Sequence, residues 1–295
     1  MFASQMISTA VSCNLSCTYC YYVTGASEYV ASNLQADDYE AWFEKCRSAD
    51  VPLYSIDITG GEPLLHPGIE GILRVAADAF HRYALLTNGV LMTDTIAHLL
   101  ASLGYSVHVS LDHVSPEVGD RVRGGTKGAL RGIERLLEAG VREIEAAMVV
   151  TSQNWRDIPN VSRFAADKGV ALELLPVGIH SSHHLSLTRL APEERIALAT
   201  MVRDVQADRE DYSLNVASAV LTGRLPRIER CSFVESSIFI EADGGIWPCG
   251  HEMGPTQRLG SILDDPTEIV LKHAEAASER RPPTCAGIHC LPLAS

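Results

Sequence analysis

From Ser55 to about residue 180 the chain repeats one pattern, a short apolar run followed by an amphipathic stretch. Residues 55–59 alternate polar and apolar side chains and stop at Gly60-Gly61, which predicts a strand and then a loop of close backbone approach. Helical periodicity covers 69–80. A strand is predicted at 83–86, closed by Thr87-Asn88-Gly89, then a helix at 94–103 with Thr93 as its cap. Strand, helix, strand, helix and strand follow at 106–111, 129–139, 143–150, 158–168 and 171–175. Strands alternating with helices require βαβ crossovers and a parallel sheet. The expected fold class is therefore α/β, a partial (β/α)6-type barrel. In such a sheet, polar residues at the C-terminal strand ends line the functional face.

One more helix is predicted at 192–208. Beyond Gly223 the texture changes to short apolar runs such as 237–240, the Gly244-Gly245 pair and scattered cysteines. This divides the chain into a core barrel at 1–222 and a small, β-rich, cluster-binding extension at 223–295. The 295 residues are 46% hydrophobic and 21% charged, enough for a sizeable core. No apolar run reaches eighteen residues, so no membrane partner is expected. The formal charge of −13, without a Lys/Arg cluster, argues against a nucleic-acid partner and favours neutral or cationic ones.

Eight cysteines, with no export signal at the N-terminus, point to a reducing, cytoplasmic setting in which thiols are ligands or reactive groups. Three of them stand in Cys13-Asn14-Leu15-Ser16-Cys17-Thr18-Tyr19-Cys20. Three thiolates at this spacing can wrap one four-iron cluster, which normally takes four. The next cysteine is Cys46 and the next histidine His66, so one iron is left open to a small molecule. The competing reading, a zinc knuckle, wants four closed tetrahedral ligands and suits a local triad poorly.

This CxxxCxxC triad, with Tyr19 before its last cysteine, resembles the radical S-adenosylmethionine superfamily. Gly60-Gly61-Glu62-Pro63 resembles that family's GGEP motif. The resemblance implies that the open iron chelates S-adenosylmethionine, and that an electron from the cluster cleaves it to a 5′-deoxyadenosyl radical. It further implies that Tyr19, Gly60, Gly61, Glu62, Pro63, Asn88, Ser110 and Arg123 line the cofactor. Glu62 is suited to accept hydrogen bonds from its ammonium group. Asp112, near Ser110 at the same strand end, shares the expectation, and an external one-electron donor such as flavodoxin or ferredoxin is implied as partner.

Cys231, Cys249, Cys285 and Cys290 form a second group, with Gly244 giving a G-x-x-x-x-C pattern. It resembles the short "twitch" relative of the SPASM extension, which implies an auxiliary [4Fe-4S] cluster. The usual closing CxxC is replaced by Cys285-x4-Cys290, His251 and His289 are possible substitutes, and four cysteines also suit zinc. Two roles stay open for Cys249. It is a cluster ligand, or it is a thiol that returns hydrogen to a substrate radical. In the second role, donation to the face opposite abstraction inverts the carbon. Pro248 and Gly250 would hold it on a rigid turn. Cys46 is the reserve donor, against its reading as a buried helix cysteine after Trp42 and Phe43.

Length, triad and Cys249 context resemble the radical epimerases of aminoglycosides, of the neomycin C to neomycin B type. A small cationic sugar-derived substrate fits the acidic chain. The alternatives are a dehydrogenase of an aminocyclitol or sugar alcohol and a peptide-modifying radical enzyme. His180, His183, His184, Glu173, Glu241 and Asp243 are further candidate substrate contacts.

Overall fold

The computed structural model describes residues 2–20, 34–177, 183–205, 221, 235–250 and 257–278. Strand β1 (Ser4–Ser8) precedes helix α1 (Ala36–Ser48). Strictly alternating units follow: β2 (Ser55–Thr59), α2 (Ile69–Ala79), β3 (Arg82–Thr87), α3 (Asp94–Leu103), β4 (Ser106–Ser110), α4 (Thr126–Ala139), β5 (Glu143–Val150), α5 (Ile158–Lys168) and β6 (Ala171–Pro176). Helix α6 (Pro192–Val205), strands β7 (Ser237–Ile240), β8 (Gly245–Trp247) and β9 (Gly260–Ser261), and helix α7 (Pro266–Ser278) complete the described elements.

Among the described residues the strands make one sheet in the order β6-β5-β4-β3-β2-β1-β7-β8-β9. Every pairing from β6 to β7 is parallel, as βαβ crossovers require, and β8 and β9 add antiparallel at one edge. The α/β expectation is met. The boundary expected near residue 222 falls at the margin of undescribed residues. Beyond it, β7 lies directly on β1, with Ser4 level with Ser237 and Ile7 level with Ile240.

Strand side chains alternate between two faces. One set (Ile7, Ile58, Leu85, Val107, Met148 and Leu174 among them) belongs to the apolar core shared with the helices. Helix α1 lays Tyr39, Trp42, Phe43 and Cys46 on that core, a spacing of three and four residues that keeps them on one stripe. Full burial of each such side chain contributes about 1.5–3 kcal/mol. The opposite face carries Ser4, Ser55, Thr59, Ser106 and Ser110, together with Asp57, His108, Glu145 and Glu173, none of which joins the apolar core. The parallel sheet therefore has one greasy face under helices and one polar face. No described helix is long and apolar enough to cross a membrane.

Most elements lie where the sequence places them. Thr93 caps α3 by accepting from the Ile96 N–H. Helix α4 begins three residues before its expected start at Ala129, because the Asp120 carboxylate accepts from the Thr126 N–H at 2.9 Å and fixes the first turn.

Candidate active site

Parallel strands deliver their following residues to one end of a sheet. Here that end gathers Cys13, Cys17 and Cys20 after β1, residues 60–63 after β2, Thr87 and Asn88 at β3, and Ser110 and Asp112 at β4. The β1–β2 pairing continues past both strands, as Gly61 N–H donates to Ala10 O and Glu62 N–H to Ser12 O. A side chain at Gly60 or Gly61 has no room. A Cβ there would stand 2.5 Å from Ala10 O or 2.4 Å from Ser12 O, and Gly60 sits at φ +141°. The two glycines thus let the β2 loop press on the backbone that leads into Cys13.

Glu62 is fully buried. It accepts from Thr87 Oγ1 at 2.6 Å, Asn88 N–H at 2.8 Å and Leu64 N–H at 3.1 Å. Burial raises its carboxyl, and these three donors oppose the rise. Glu62 is expected as an ammonium acceptor. In the structure its oxygens take protein donors, and it ties the β2 loop to the end of β3. Pro63 starts the single 3-10 turn Pro63–Leu65 that follows. Asn88 in turn donates to Asn14 Oδ1 at 2.8 Å and reaches Cys13 Sγ at 3.8 Å.

The other side of the cysteine loop is fastened to residues 122–123. Thr18 N–H donates to Val122 O at 2.9 Å, and the Cys17 thiol to Arg123 O at 3.7 Å. Arg123 pairs with Asp112 through Nε at 3.1 Å and Nη2 at 3.3 Å, and its guanidinium lies 5.5 Å from the centre of the Tyr19 ring. Tyr19 donates its hydroxyl to Asp112 as well, and the Val149 N–H bonds the other Asp112 oxygen at 3.0 Å. Burial alone works against the Arg123 charge, but Asp112 outweighs it and keeps the guanidinium protonated. Ser110, Asp112 and Arg123 share the wall of one narrow cavity.

Burial raises the Cys13 thiol, with Cys20 adding to the rise, and pushes Cys17 up to about 11, with Cys20 and Cys13 adding to it. Such a group calls for a cationic centre to hold three thiolates together. Three thiolates suit a four-iron cluster with one iron left open, whereas structural zinc wants four closed ligands.

Cys249 follows β8, which runs back against β7 and brings Trp247 level with Phe239, itself level with Met6. The chain thus carries Cys249 toward the Ser4 end of the sheet, while the triad follows the Ser8 end. Cys249 is buried outside the apolar core, and a Cβ on neighbouring Gly250 would stand 3.0 Å from the Phe239 ring. Phe239 lies on the polar face of the sheet, beside Met6. Cys46 is on the opposite side, buried in α1 within the apolar core, where burial pushes its thiol up to about 12. That removes Cys46 as reserve donor.

Cys231, Cys285, Cys290, His180, His251 and His289 lie outside the described residues. Glu241 and Asp243 serve their own hairpin, accepting from the N–H groups of Ala242 and Gly245, and Asp243 also pairs with Arg258. His183 and His184 stack on one another at 4.5 Å in the segment after β6. Asn14 and the Val122 carbonyl carry no signal in residue type, and the partners of Asp112 carry none either. Only the folded loops show that these groups fasten the triad.

A family model described as the Radical SAM superfamily matches residues 7–165, from β1 into α5. The mycofactocin maturase MftC of Mycolicibacterium smegmatis is 27% identical over 292 residues, covering 93% of this chain and 71% of that protein. A probable GTP 3′,8-cyclase of Methanococcus aeolicus is 28% identical over 257 residues, covering 83% of this chain and 84% of the cyclase. The structure of Streptococcus suis SuiB bound to S-adenosylmethionine matches with a TM-score of 0.75 at 17% identity, over 99% of this chain and 71% of that one, a likeness of fold. The relatives named carry different activities, so what they share with this chain is the family and not one reaction.

Proposed function

Because this chain belongs to the radical S-adenosylmethionine superfamily, we propose that it is an epimerase. It inverts one carbon of an aminated sugar, of the neomycin C to neomycin B kind, with Cys249 as the hydrogen donor. The family's [4Fe-4S] cluster and S-adenosylmethionine fit the cysteine triad and the loops around it. When bound, they supply one-electron cleavage of the sulfonium and abstraction of a hydrogen atom from an unactivated carbon.

The chain's own residues divide the remaining work. Cys13, Cys17 and Cys20 hold the cluster. The open backbone at Gly60 and Gly61, with Ser110 and Arg123, borders the cofactor. Glu62 and Asp112 keep these loops in register.

The observation that carries the reading is the position of Cys249, on the polar-face side but toward the opposite end of the sheet from the triad. A substrate between them would lose hydrogen on one face and meet a thiol on the other. The Cys249 S–H bond breaks as a new C–H bond forms, leaving a sulfur-centred radical. One electron from an external donor and one proton from solvent restore the thiol. An auxiliary cluster on Cys231, Cys285 and Cys290 belongs to this proposal.

Cys249→Ala tests it. The variant is expected to keep wild-type iron and to form 5′-deoxyadenosine with neomycin C, yet to give under about 1% of the inverted product, since among the described residues Cys46 is the other thiol outside the triad and it lies in the apolar core. In deuterium oxide the wild-type enzyme should place one deuterium on the inverted carbon. Loss of iron from the variant would instead mark Cys249 as a ligand, and an unlabelled product would remove the donor role.

A further inference from the structure

The polar face of the sheet carries a group that the radical machinery does not use. His108 of β4, Glu145 of β5 and Glu173 of β6 come together there, with one ligand atom from each lying within 4.8 Å of the others. They are distant in sequence and meet because the registers of three adjacent parallel strands place them side by side. His108 is level with Glu145, and Glu173 is level with Ala147, two residues further along β5. Both glutamates are buried, and His108 Nδ1 stands 3.6 Å from Glu145 Oε1.

Asp57 of β2 is an independent sign on the same face. Asp57 is partly buried, and among the described residues no hydrogen bond or ion pair reaches its carboxylate. The surrounding protein raises its carboxyl against the pull of His108. A partly desolvated carboxylate without a donor costs free energy, and a cationic ligand supplies that donor. Asp57 is also level with Met6, and Met6 with Phe239, the ring on which Gly250 packs beside Cys249. On this face Asp57 therefore lies between the Cys249 segment and the group of His108, Glu145 and Glu173.

We propose that Asp57, Glu145 and Glu173, with His108, form a seat for the ammonium groups of the substrate. The seat selects a polyaminated sugar and rejects polyanions. It rests on the epimerase reading for the choice of an aminated sugar. The same charges oppose a nucleoside triphosphate, so a substrate like that named for the Methanococcus cyclase is disfavoured at this face. Protein carboxylates bind ammonium groups through short, charge-assisted hydrogen bonds.

The test is equilibrium dialysis of the full, anaerobically reconstituted enzyme with S-adenosylmethionine and neomycin C as probe. Glu145→Gln, Glu173→Gln and Asp57→Asn should each weaken binding about tenfold, the worth of one charge-assisted contact. A fully N-acetylated probe should bind at least about a hundredfold more weakly than neomycin C, and GTP should not compete.

Carbodiimide labelling of the wild-type enzyme gives a readout that needs no variant, and the probe should protect Asp57, Glu145 and Glu173. Unchanged affinity in all three variants at wild-type iron content, or labelling that the probe does not alter, overturns the seat. A zinc ion that co-purifies with the wild type and is lost in the glutamine variants also overturns it, in favour of a metal site. Charge-dependent binding without an inverted product removes the epimerase reading and leaves the seat. Inverted product from the glutamine variants at wild-type KM removes the seat and leaves the reading.

Discussion

Asp112→Ala is expected to lower the unfolding free energy by about 3–5 kcal/mol, the cost of breaking a buried ion pair from one side. The Asp112 side chain is 2% exposed and that of Arg123 is 13% exposed, so water cannot replace the lost carboxylate. Three donors lose their acceptor together: the guanidinium of Arg123, the Tyr19 hydroxyl and the Val149 N–H. Tyr19 stands next to Cys20, and the Arg123 carbonyl accepts from Cys17, so the damage reaches the cluster loop. Iron per chain should fall along with stability. Asp112→Asn keeps an acceptor for Val149 and Tyr19 but loses the charge, and it should fall between the two. Anaerobic urea denaturation followed by circular dichroism, with iron analysis, reads both effects. An alanine variant within about 1 kcal/mol of wild type would show that Arg123 finds another partner, because a lone buried charge cannot be that cheap.

Much of this arrangement is legible in the sequence, for reasons that differ between elements. The strands and helices between residues 55 and 176 announce themselves because hydrophobic periodicity and a capping residue such as Thr93 are local signals. Strand β1 is not legible in the same way: Ser4-Gln5-Met6-Ile7-Ser8 has too little apolar alternation to stand out. Its identity comes from being flanked on both sides, by β2 and by β7 from more than 200 residues later. Helix α1 carries a readable stripe in Tyr39, Trp42, Phe43 and Cys46, but only Cys46 with its two aromatic neighbours draws the eye in a reading led by cysteines.

At the site, spacing names the triad and the glycine pair because their chemistry is local. Asp112 is visible as a residue at a strand end and invisible as the acceptor that anchors Arg123. The set of His108, Glu145 and Glu173 depends wholly on strand register. Glu173 alone stands out in the sequence as a possible acidic contact, and nothing local joins it to residues 28 and 65 positions earlier.

Gly61→Ala is expected to abolish most of the radical chemistry while leaving the fold in place. A methyl group at this position would lie 2.4 Å from Ser12 O, 2.7 Å from Ser12 C and 2.7 Å from Val11 O. All three are backbone atoms, so no rotamer change relieves the clash and one of the two loops has to move. The loop that moves is continuous with Cys13 on one side and with Glu62 on the other, and Glu62 N–H loses its bond to Ser12 O in the process. A shift of about 1 Å at a catalytic centre can cost about a hundredfold in rate, so 5′-deoxyadenosine formation should drop by that order, with iron content reduced.

Gly140→Ala is the matched control. Gly140 ends α4 at φ +84° with nothing within 4 Å of an added Cβ, far in sequence from either loop. Forcing alanine into that left-handed conformation should cost about 1–2 kcal/mol of stability and leave iron and 5′-deoxyadenosine yield as in the wild type. If Gly61→Ala loses no more than Gly140→Ala, the contact between the glycine pair and the Ser12 backbone is not what positions the triad, and the order in the cysteine loop has to come from the Asp112–Arg123 side alone.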